Sequence, residues 1–279
     1  MRLFVCSIVD QASVAIRDAL LLMAPWSEEG VFEGNPVWRC GEKMIVTIER
    51  LHLFADDVDK SVEKATGRHF DDVLFLSRHK AASGIHTLTV HPLGNFGKAE
   101  LGGRDGTLVP ASPHLMTSLL RRLKLEAAGL PFEVSFEVTH HGPFLETPTT
   151  FIEIGSDESM WGNRDAARAI ATSIVSFEES PCPVAIGIGG GHYAPRFSEV
   201  VMSKKVSFGH MIPNYFIEKA DEQAAVRYIQ MAIDRTSGVR SAYIHKKSMK
   251  RSRATILRHL VEKAGLEAID SDDLADKDA

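Results

Sequence analysis

Short apolar runs and amphipathic segments alternate along the chain. The apolar runs predict buried or half-buried β-strands at residues 3–9, 43–49, 73–76, 87–91, 132–138, 150–154, 184–188, 206–208 and 239–244. The segments between them predict helices at residues 11–23, 113–128, 164–177, 221–235 and 250–264. Strands that alternate with helices predict an α/β fold, with helices on both faces of the sheet.

Local signals fix several of the helix ends. Asp10 and Asn163 are typical N-cap residues, and Ser112-Pro113 is typical of a helix start. Gly129 is a typical helix stop. We find no linker or internal repeat, so we predict one domain over residues 1–265, with residues 92–111 as an irregular loop.

The charge of the chain is unevenly distributed, although its net value is only −5. Residues 240–265 carry a net charge of +7, and residues 266–279 carry −5. Clustered cations attract phosphate backbones, so the first segment is an RNA contact or a solvent-exposed helix face, and the pattern slightly favours the second. The acidic segment predicts a disordered tail.

The composition excludes several classes of protein. No apolar stretch approaches the 18 or so residues that a membrane span needs, and the N-terminal segment is not typical of a secretory signal. Cys6, Cys40 and Cys182 are far apart and form no CxxC pair. This spacing argues against a disulfide scaffold or a cysteine-ligated zinc module, and it favours a reducing, cytoplasmic setting.

Histidines follow the carboxyl ends of five predicted strands. They are His79, His91, the His140-His141 pair, His192 and His210. The carboxyl ends of parallel strands share one edge of a sheet, so these imidazoles are expected to converge there unless a strand runs antiparallel. A single histidine is more often structural, but histidines together with carboxylates are the usual ligands of catalytic zinc.

The spacing of the histidines bears on which kind of zinc site they can form. There is no HEXXH helix, so the sequence gives no support to helix-based metalloprotease chemistry. On a regular strand His140 and His141 would point to opposite faces. Both can face one ion only if the chain has already left the strand, which Gly142-Pro143 favours.

A glycine-rich loop precedes His192. Residues 187–192 read Gly-Ile-Gly-Gly-Gly-His, which lacks the last glycine of a dinucleotide fingerprint and is not followed by the GK[ST] of a Walker loop. Its backbone amides could donate to an oxyanion, or the loop could be a simple turn. Asn95, in a second glycine-flanked loop, offers donors and an acceptor to a substrate. No GxSxG motif is present, so a serine hydrolase lacks its signature.

Several of these segments resemble the archaeal and plant type of D-aminoacyl-tRNA deacylase. They are residues 77–79 (SRH), 89–96 (TVHPLGNF), 139–143 (THHGP), 151–156 (FIEIGS), 187–196 (GIGGGHYAPR) and 209–213 (GHMIP). The GIGGGHYAPR run is highly specific. Residues 10–70 match weakly, and the acidic tail lies outside the match.

The resemblance implies a zinc-dependent hydrolase that releases D-amino acids from mischarged tRNA, and thus a role in translation quality control. It also implies a three-layer α/β/α fold with a mixed, mainly parallel sheet, similar to the phosphorylase and peptidyl-tRNA hydrolase fold and to zinc exopeptidases. Zinc is the expected cofactor and D-aminoacyl-tRNA the expected partner. We infer no membrane contact and no stable protein partner.

The resemblance does not fix individual ligands, so the site residues are inferred from their positions. We predict His140, His141 and His192 as zinc ligands, with His91 and His210 as alternatives. Glu153 is the predicted general base or the residue that orients a histidine, and the amides of Gly189 to Gly191 are predicted to hold the oxyanion. The predicted substrate contacts are Asn95, Tyr193, Arg196, Lys246, Lys250, Arg251 and Arg253.

Two other functions fit the same residues. One is a metal-dependent peptidase or amidohydrolase that acts on a small substrate, for which the basic segment would be unnecessary. The other is a non-catalytic RNA-binding module with structural histidines, which would bind RNA without turnover.

Overall fold

The computed structural model describes residues 1–82 and 84–277 of the chain. The strands are β1 (Arg2–Ser7), β2 (Ser27–Phe32), β3 (Asn35–Cys40), β4 (Lys43–Ile48), β5 (Asp72–Arg78), β6 (Thr87–Pro92), β7 (Gly94–Asn95), β8 (Thr107–Leu108), β9 (Glu133–Phe136), β10 (Thr149–Gly155), β11 (Val184–Ile188), β12 (Ser207–Ile212), β13 (Val239–Ile244) and β14 (Glu267–Ile269). The helices are α1 (Gln11–Met23), α2 (Val58–Thr66), α3 (Pro113–Glu126), α4 (Glu158–Trp161), α5 (Arg164–Ser176), α6 (Pro195–Ser203), α7 (Asn214–Ile217), α8 (Glu222–Asp234) and α9 (Arg251–Lys263). Short 3-10 turns cover His52–Phe54, Lys246–Ser248 and Ser271–Asp273.

Two main sheets organise the described residues. The larger has eight strands in the order β2-β3-β4-β1-β5-β10-β6-β9, and the smaller has four in the order β12-β11-β13-β14. The smaller sheet is entirely parallel. The larger is mixed, since β2, β3 and β4 pair antiparallel and β6 runs antiparallel to β10. The predicted α/β class with a mixed, mainly parallel sheet is therefore confirmed.

Helices cover the larger sheet on both faces. On one face α1, α3 and α5 pack over Phe4, Leu74 and Ile152, while Val58 and Val62 of α2 pack over the other face. Burying such side chains is the main favourable term in folding. Helix α3 contacts both β6 and β12, so it lies between the two sheets, and α8 and α9 cover the far side of the smaller sheet.

The structure follows the sequence closely at the helices that have recognisable caps. Asp10 accepts hydrogen bonds from the amides at the start of α1, and Asn163 caps α5 in the same way. The predicted loop at residues 92–111 contains the short antiparallel pair β7–β8. The antiparallel pair β2–β3 and helix α2 were not predicted.

The acidic tail differs from its prediction. Instead of being disordered after Leu266, the chain forms β14, which pairs parallel with β13, and a 3-10 turn capped by Asp270. Lys204 then forms an ion pair with Asp276 at 2.7 Å. Asp278 and Ala279 lie outside the described residues. The single-domain boundary stays a prediction, supported by a buried cluster that contains side chains of both sheets.

None of the helices in the described part of the chain combines the length and apolar character that crossing a membrane would require.

Candidate active site

Four of the histidines that follow predicted strands, His79, His140, His141 and His192, line a cavity of about 480 Å³. Its lining residues are Leu51, His52, Leu53, Ser77, Arg78, His79, Lys80, Leu101, His140, His141, Glu153 and His192. A larger cavity of about 740 Å³ lies between α3 and the 176–182 segment, and no potential metal ligand group of the described residues lines it. The smaller cavity is therefore the candidate site.

Strands β5, β10 and β6 place three side chains on one face of the large sheet. Ser77 lies beside Glu153 in the parallel register, and its hydroxyl donates to Glu153 Oε1 at 2.8 Å. His91 on antiparallel β6 lies diagonally from Glu153, with His91 Nε2 3.6 Å from Glu153 Oε2. The antiparallel direction of β6 does not move His91 away from Glu153, because the site lies on the face of the sheet rather than at the edge where strands end.

His140 and His141 reach the same place after the chain has left the edge strand. Strand β9 ends at Phe136, and the positive φ values of His141 (20°) and Gly142 (105°) turn the chain. The rings of His140 and His141 are 4.1 Å apart between centroids, and the His140 ring is 4.2 Å from that of His91. The departure from the strand inferred from Gly142-Pro143 is thus what the structure shows.

The glycine loop carries His192 from the smaller sheet to the same cavity. Gly189 and Gly190 have φ values of 110° and 91°, which L side chains rarely adopt. The backbone around Tyr193 then pairs with the chain after β9, where Val138 N donates to His192 O at 3.0 Å. The His192 and His140 rings lie 4.5 Å apart between centroids. The site therefore forms where the two sheets meet.

Two histidines are held with one ring nitrogen directed inward. His91 Nδ1 donates to Pro92 O at 3.1 Å, and His140 Nδ1 donates to Val138 O at 2.7 Å. When the ring is neutral, the protonated Nδ1 leaves Nε2 with a lone pair, as in metal-ligating histidines whose other nitrogen is fixed by a carbonyl. In the described part of the chain neither Nε2 has a hydrogen-bond partner, although both are buried.

Other buried atoms around the cavity are also without hydrogen-bond partners among the described residues. They are His141 Nδ1, both carboxylate oxygens of Glu137, and Glu153 Oε2. Potential ligand atoms lie within 4.8 Å of one another in three groups: His91–His140–His141, His79–Glu137–His192 and His91–Glu137–Glu153. Buried polar atoms normally have partners, so this concentration of unpaired nitrogen and oxygen atoms fits a metal ion.

His79 bridges the two buried carboxylates. Its Nδ1 lies 3.3 Å from both Glu137 Oε1 and Glu153 Oε2, and its Nε2 is 3.2 Å from the hydroxyl of Tyr193. Glu137 Oε2 is in turn 3.0 Å from His192 Nε2 and 3.3 Å from His140 Nε2. Glu137 therefore lies close to histidines of two ligand groups without lining the cavity, whereas Glu153 lines the cavity.

The charges of the cluster shift its pKa values in opposite directions. Burial lowers the pKa of His79, but the interaction with Glu153 and the charges of both carboxylates outweigh it and raise the pKa to about 9. Burial, reinforced by neighbouring histidines, lowers the pKa of His140 well below its usual value and that of His141 to about 3. His140 and His141 are thus neutral at pH 7, the form that binds a metal.

Glu153 is ionised despite its burial. Burial raises the pKa of Glu153, but the interactions with His79 and His91 hold it well below its usual range. A buried carboxylate with a free oxygen beside two histidines can accept a proton or orient a ligand.

His210 is not in this cluster, contrary to its prediction as an alternative ligand. Its Nε2 donates to Val109 O at 3.0 Å, and its Nδ1 accepts from Thr139 Oγ1 at the same distance. The hydroxyl of Thr139 accepts a hydrogen bond from the amide of Met211, so its own proton is available to donate to His210 Nδ1. Both ring nitrogens are therefore used in holding β12 to its neighbours.

We expect His210 to make stability depend on acid pH. Burial lowers the pKa of His210 from 6.5 to about 4, so below pH 6.5 the unfolded chain binds a proton that the folded chain refuses. The free energy of unfolding then decreases by about 3 kcal/mol as the pH falls from about 6.5 to 4. Urea unfolding at several pH values should show a shallower decline for His210→Gln than for the wild type. Exposed His69→Gln is the control. If the stability of His210→Gln fell with pH as steeply as that of the wild type, the assignment of this pH dependence to His210 would be wrong.

The glycine amides depart from the predicted oxyanion role. Gly189 N donates to Ile212 O and Gly190 N donates to the hydroxyl of Ser248, so both donors are used within the protein. Gly191 remains a prediction. Asn95 also differs, since its side-chain amide donates to Gly102 O at 3.0 Å and holds the 97–106 loop, whose Leu101 lines the cavity.

The predicted substrate-binding cations are only partly available. Arg196 donates to Tyr243, Glu199 and Ser271, and Arg253 donates to Ile217 O, so both guanidinium groups hold structure together. Lys246 forms an ion pair with Asp270 at 2.7 Å. Lys250 and Arg251 are exposed at the start of α9. Tyr193 is at the site through its contact with His79.

The sequence patterns do not select His79 or Glu137 as site residues. His79 is recognised from the sequence as a strand-end histidine, but it is not among the predicted zinc ligands or catalytic residues. Glu137 falls on the polar face of a predicted half-buried strand, yet it is completely buried. The available signal is its position three residues before His140, directly after β9.

Comparisons with known proteins show the family of the chain. Residues 66–269 match the family model described as D-aminoacyl-tRNA deacylase, a range that contains every residue of the three potential ligand groups. The chain belongs to the D-aminoacyl-tRNA deacylase family. This confirms the family identified from the sequence motifs.

Individual relatives cover nearly the whole chain. D-aminoacyl-tRNA deacylases of Methanosarcina mazei and Thermococcus kodakarensis are 37% and 35% identical, over 95% and 96% of this chain and 90% and 99% of their own length. The Methanococcoides burtonii deacylase is 38% identical over 97% of this chain, but the chain spans only 56% of that relative. A crystal structure of a conserved protein of unknown function superposes with a TM-score of 0.86 at 32% identity, covering 99% of this chain and 98% of the other.

Proposed function

We propose that the chain hydrolyses the ester bond of D-aminoacyl-tRNA and releases a free D-amino acid and tRNA, with zinc as its cofactor. The observation that carries this proposal is the set of buried, unpartnered imidazole and carboxylate atoms that line a cavity in a member of this family. A cytoplasmic setting is part of the proposal, supported by three cysteines that are free in the described structure.

His91, His140 and His141 would hold the ion. This set replaces His192 of the sequence-based set with His91, because the potential ligand atoms of these three residues form one group, whereas His192 groups with His79 and Glu137. When bound, zinc polarises the ester carbonyl and lowers the pKa of a bound water to about 7. The absence of cysteine from the group fits a catalytic rather than a purely structural zinc site.

Glu153 is the proposed proton acceptor. Glu153 lines the cavity, and its Oε2 has no hydrogen-bond partner in the described structure, while the hydroxyl of Ser77 fixes its other oxygen. In hydrolysis, Glu153 Oε2 takes a proton from the attacking water as the water oxygen bonds to the carbonyl carbon. The bond between this carbon and the ribose oxygen then breaks, and Glu153 passes the proton to the leaving ribose oxygen, which becomes a hydroxyl. Glu137 positions His192 and His140 by its carboxylate contacts.

The cavity also has surfaces for the two ends of the ester. Leu51, Leu53 and Leu101 form an apolar wall that suits an amino acid side chain. Arg78 and Lys80 line the same cavity and supply positive charge near the leaving nucleotide.

The proposal predicts hydrolysis of D-tyrosyl-tRNA at a rate at least about tenfold above that of L-tyrosyl-tRNA, a difference of about 1.4 kcal/mol in the transition state. The physical reason is that a pocket of fixed shape admits one arrangement of the substituents around the α-carbon. Release of labelled tyrosine from each charged tRNA measures this ratio. Equal rates for both, or turnover of small peptides with neither tRNA cleaved, would contradict the proposal and favour the peptidase alternative.

A further inference from the structure

Three segments meet at the loop that brings His192 to the cavity. Gly190 N donates to the Ser248 hydroxyl at 3.1 Å, and Asn214 N donates to Gly190 O at 2.9 Å. The side-chain amide of Asn214 also donates to Ser248 O. These bonds tie the glycine loop, the start of α7 and residues 246–251, here called the basic turn, to one another within two residues of His192.

Tyr215, the residue after Asn214, presents an aromatic ring at this junction. It is 55% exposed. Its ring lies 5.1 Å from that of Phe216 between centroids, and the Phe216 ring contacts those of Phe96 and Tyr228 at 5.7 and 5.5 Å. Phe96 is buried. Tyr215 is thus supported from one side by a packed aromatic cluster and open to a ligand on another.

The backbone places Tyr215 near the candidate active site. Asn214 N donates to Gly190 O at 2.9 Å, and Gly190 is two residues from His192, which lines the cavity.

The basic turn offers cations that the protein itself does not neutralise. Lys247, Lys250 and Arg251 are exposed, and in the described part of the chain none of them forms an ion pair. Lys246, in contrast, is paired with Asp270. The segment with the exposed ring is hydrogen-bonded through Asn214 and Ser248 to the segment that carries these unpaired cations. Aromatic rings and cations together are what proteins use to bind single-stranded nucleic acid, by base stacking and phosphate contacts.

We propose that Tyr215 is a stacking platform for the terminal nucleobase of the RNA that carries the ester, with Lys247, Lys250 and Arg251 holding the phosphates that precede it. The inference rests on the proposed function. The ester is attached to the terminal ribose, so the terminal base must lie close to the cavity when the ester is inside it. Stacking suits an unpaired RNA end because its bases are free to leave their neighbours.

Phe54 provides a matched comparison. Phe54 and Tyr215 are the two phenylalanine or tyrosine side chains that are more than half exposed in the described residues. Phe54 belongs to the 3-10 turn His52–Phe54, and its backbone does not take part in the hydrogen bonds around Gly190. Stacking by Phe54 would therefore be a different mode of binding.

The test is binding of uncharged tRNA that carries 2-aminopurine in place of its terminal adenine. The fluorescence of this base is quenched when it stacks on an aromatic ring. We expect quenching with the wild type, Tyr215→Phe and Phe54→Ala. Tyr215→Ala should abolish the quenching and bind about tenfold more weakly, within the range measured for removal of one stacked base.

A second variant tests the cations. Lys247, Lys250 and Arg251 replaced together by alanine should weaken binding and flatten its salt dependence, by about 0.7 in the log–log slope for each phosphate of the single strand that is no longer neutralised. Quenching at saturation should persist, because the ring is still present. Circular dichroism of each variant checks that it is folded.

Quenching that survives Tyr215→Ala, or that disappears only in Phe54→Ala, would overturn the assignment of the stacking platform. Because this assay uses uncharged tRNA, its result does not depend on turnover. Failure of the wild type to cleave D-tyrosyl-tRNA would instead overturn the proposed function.

Discussion

Replacing Glu153 by glutamine is expected to lower the rate of D-aminoacyl-tRNA hydrolysis by about 10² to 10⁴-fold, the range typical for loss of a general base. Glutamine keeps the size of the side chain and can still accept the hydrogen bond from Ser77. It cannot, however, accept a proton at the oxygen that faces the cavity. Single-turnover release of D-tyrosine from charged tRNA measures the chemical step without product release.

Glu133→Gln is the matched control for this prediction. Glu133 lies on edge strand β9 and is exposed, so the same change of charge is made away from the cavity. We expect the control to hydrolyse the substrate at the wild-type rate. A Glu153→Gln protein that is folded, by thermal unfolding, and active within about twofold of the wild type would remove Glu153 from the chemistry.

Replacing His140 by alanine is expected to have an effect of similar size, about 10³-fold or more, because it removes a proposed ligand of the zinc ion, and a bound ion of this kind supplies several kcal/mol of transition-state stabilisation. His140 is held by Val138 O with its other nitrogen unpartnered in the described structure. Zinc content after dialysis should fall together with activity.

His69→Ala is the control for this histidine variant. Its ring is 77% exposed and lies beside Glu63 on the surface. Normal zinc content and normal activity are expected for it. If His140→Ala bound zinc as the wild type does, the ligand set His91–His140–His141 would be wrong.

The fold was predictable where local signals and burial agree. Helices α1 and α5 begin after capping side chains, and the buried strands β1, β5 and β11 are continuous apolar runs. The pair β2–β3 was missed because Ser27–Phe32 is almost entirely exposed and polar, so it has no alternating pattern. Backbone pairing with β4 stabilises this edge in a way that side-chain patterns do not reveal.

The tail was mispredicted for a related reason. Its many acidic residues indicated disorder, but Ala268 and Ile269 are buried against the smaller sheet. Two apolar side chains are too few to predict a strand in so acidic a segment, and the parallel pairing with β13 is not visible in the sequence.

The site was predictable as a set of histidines but not in its geometry. Strand ends brought His79, His91, His140 and His192 into consideration. In the structure His91 and Glu153 lie within strands, on one face of the sheet. His210 satisfies the same strand-end rule and is structural, because both of its nitrogens find partners. Which histidine has a free nitrogen depends on tertiary contacts, and these are absent from a single sequence.

The central claim is that the buried histidine cluster acts by holding zinc. The most direct measurement is the rate of D-tyrosine release from D-tyrosyl-tRNA by protein stripped of metal with a chelator, and then by the same protein with zinc restored in increasing amounts. We expect the stripped protein to be inactive, and activity to return with zinc in the wild type but not in His140→Ala. Full activity in thoroughly metal-free protein would show that hydrolysis does not need the metal.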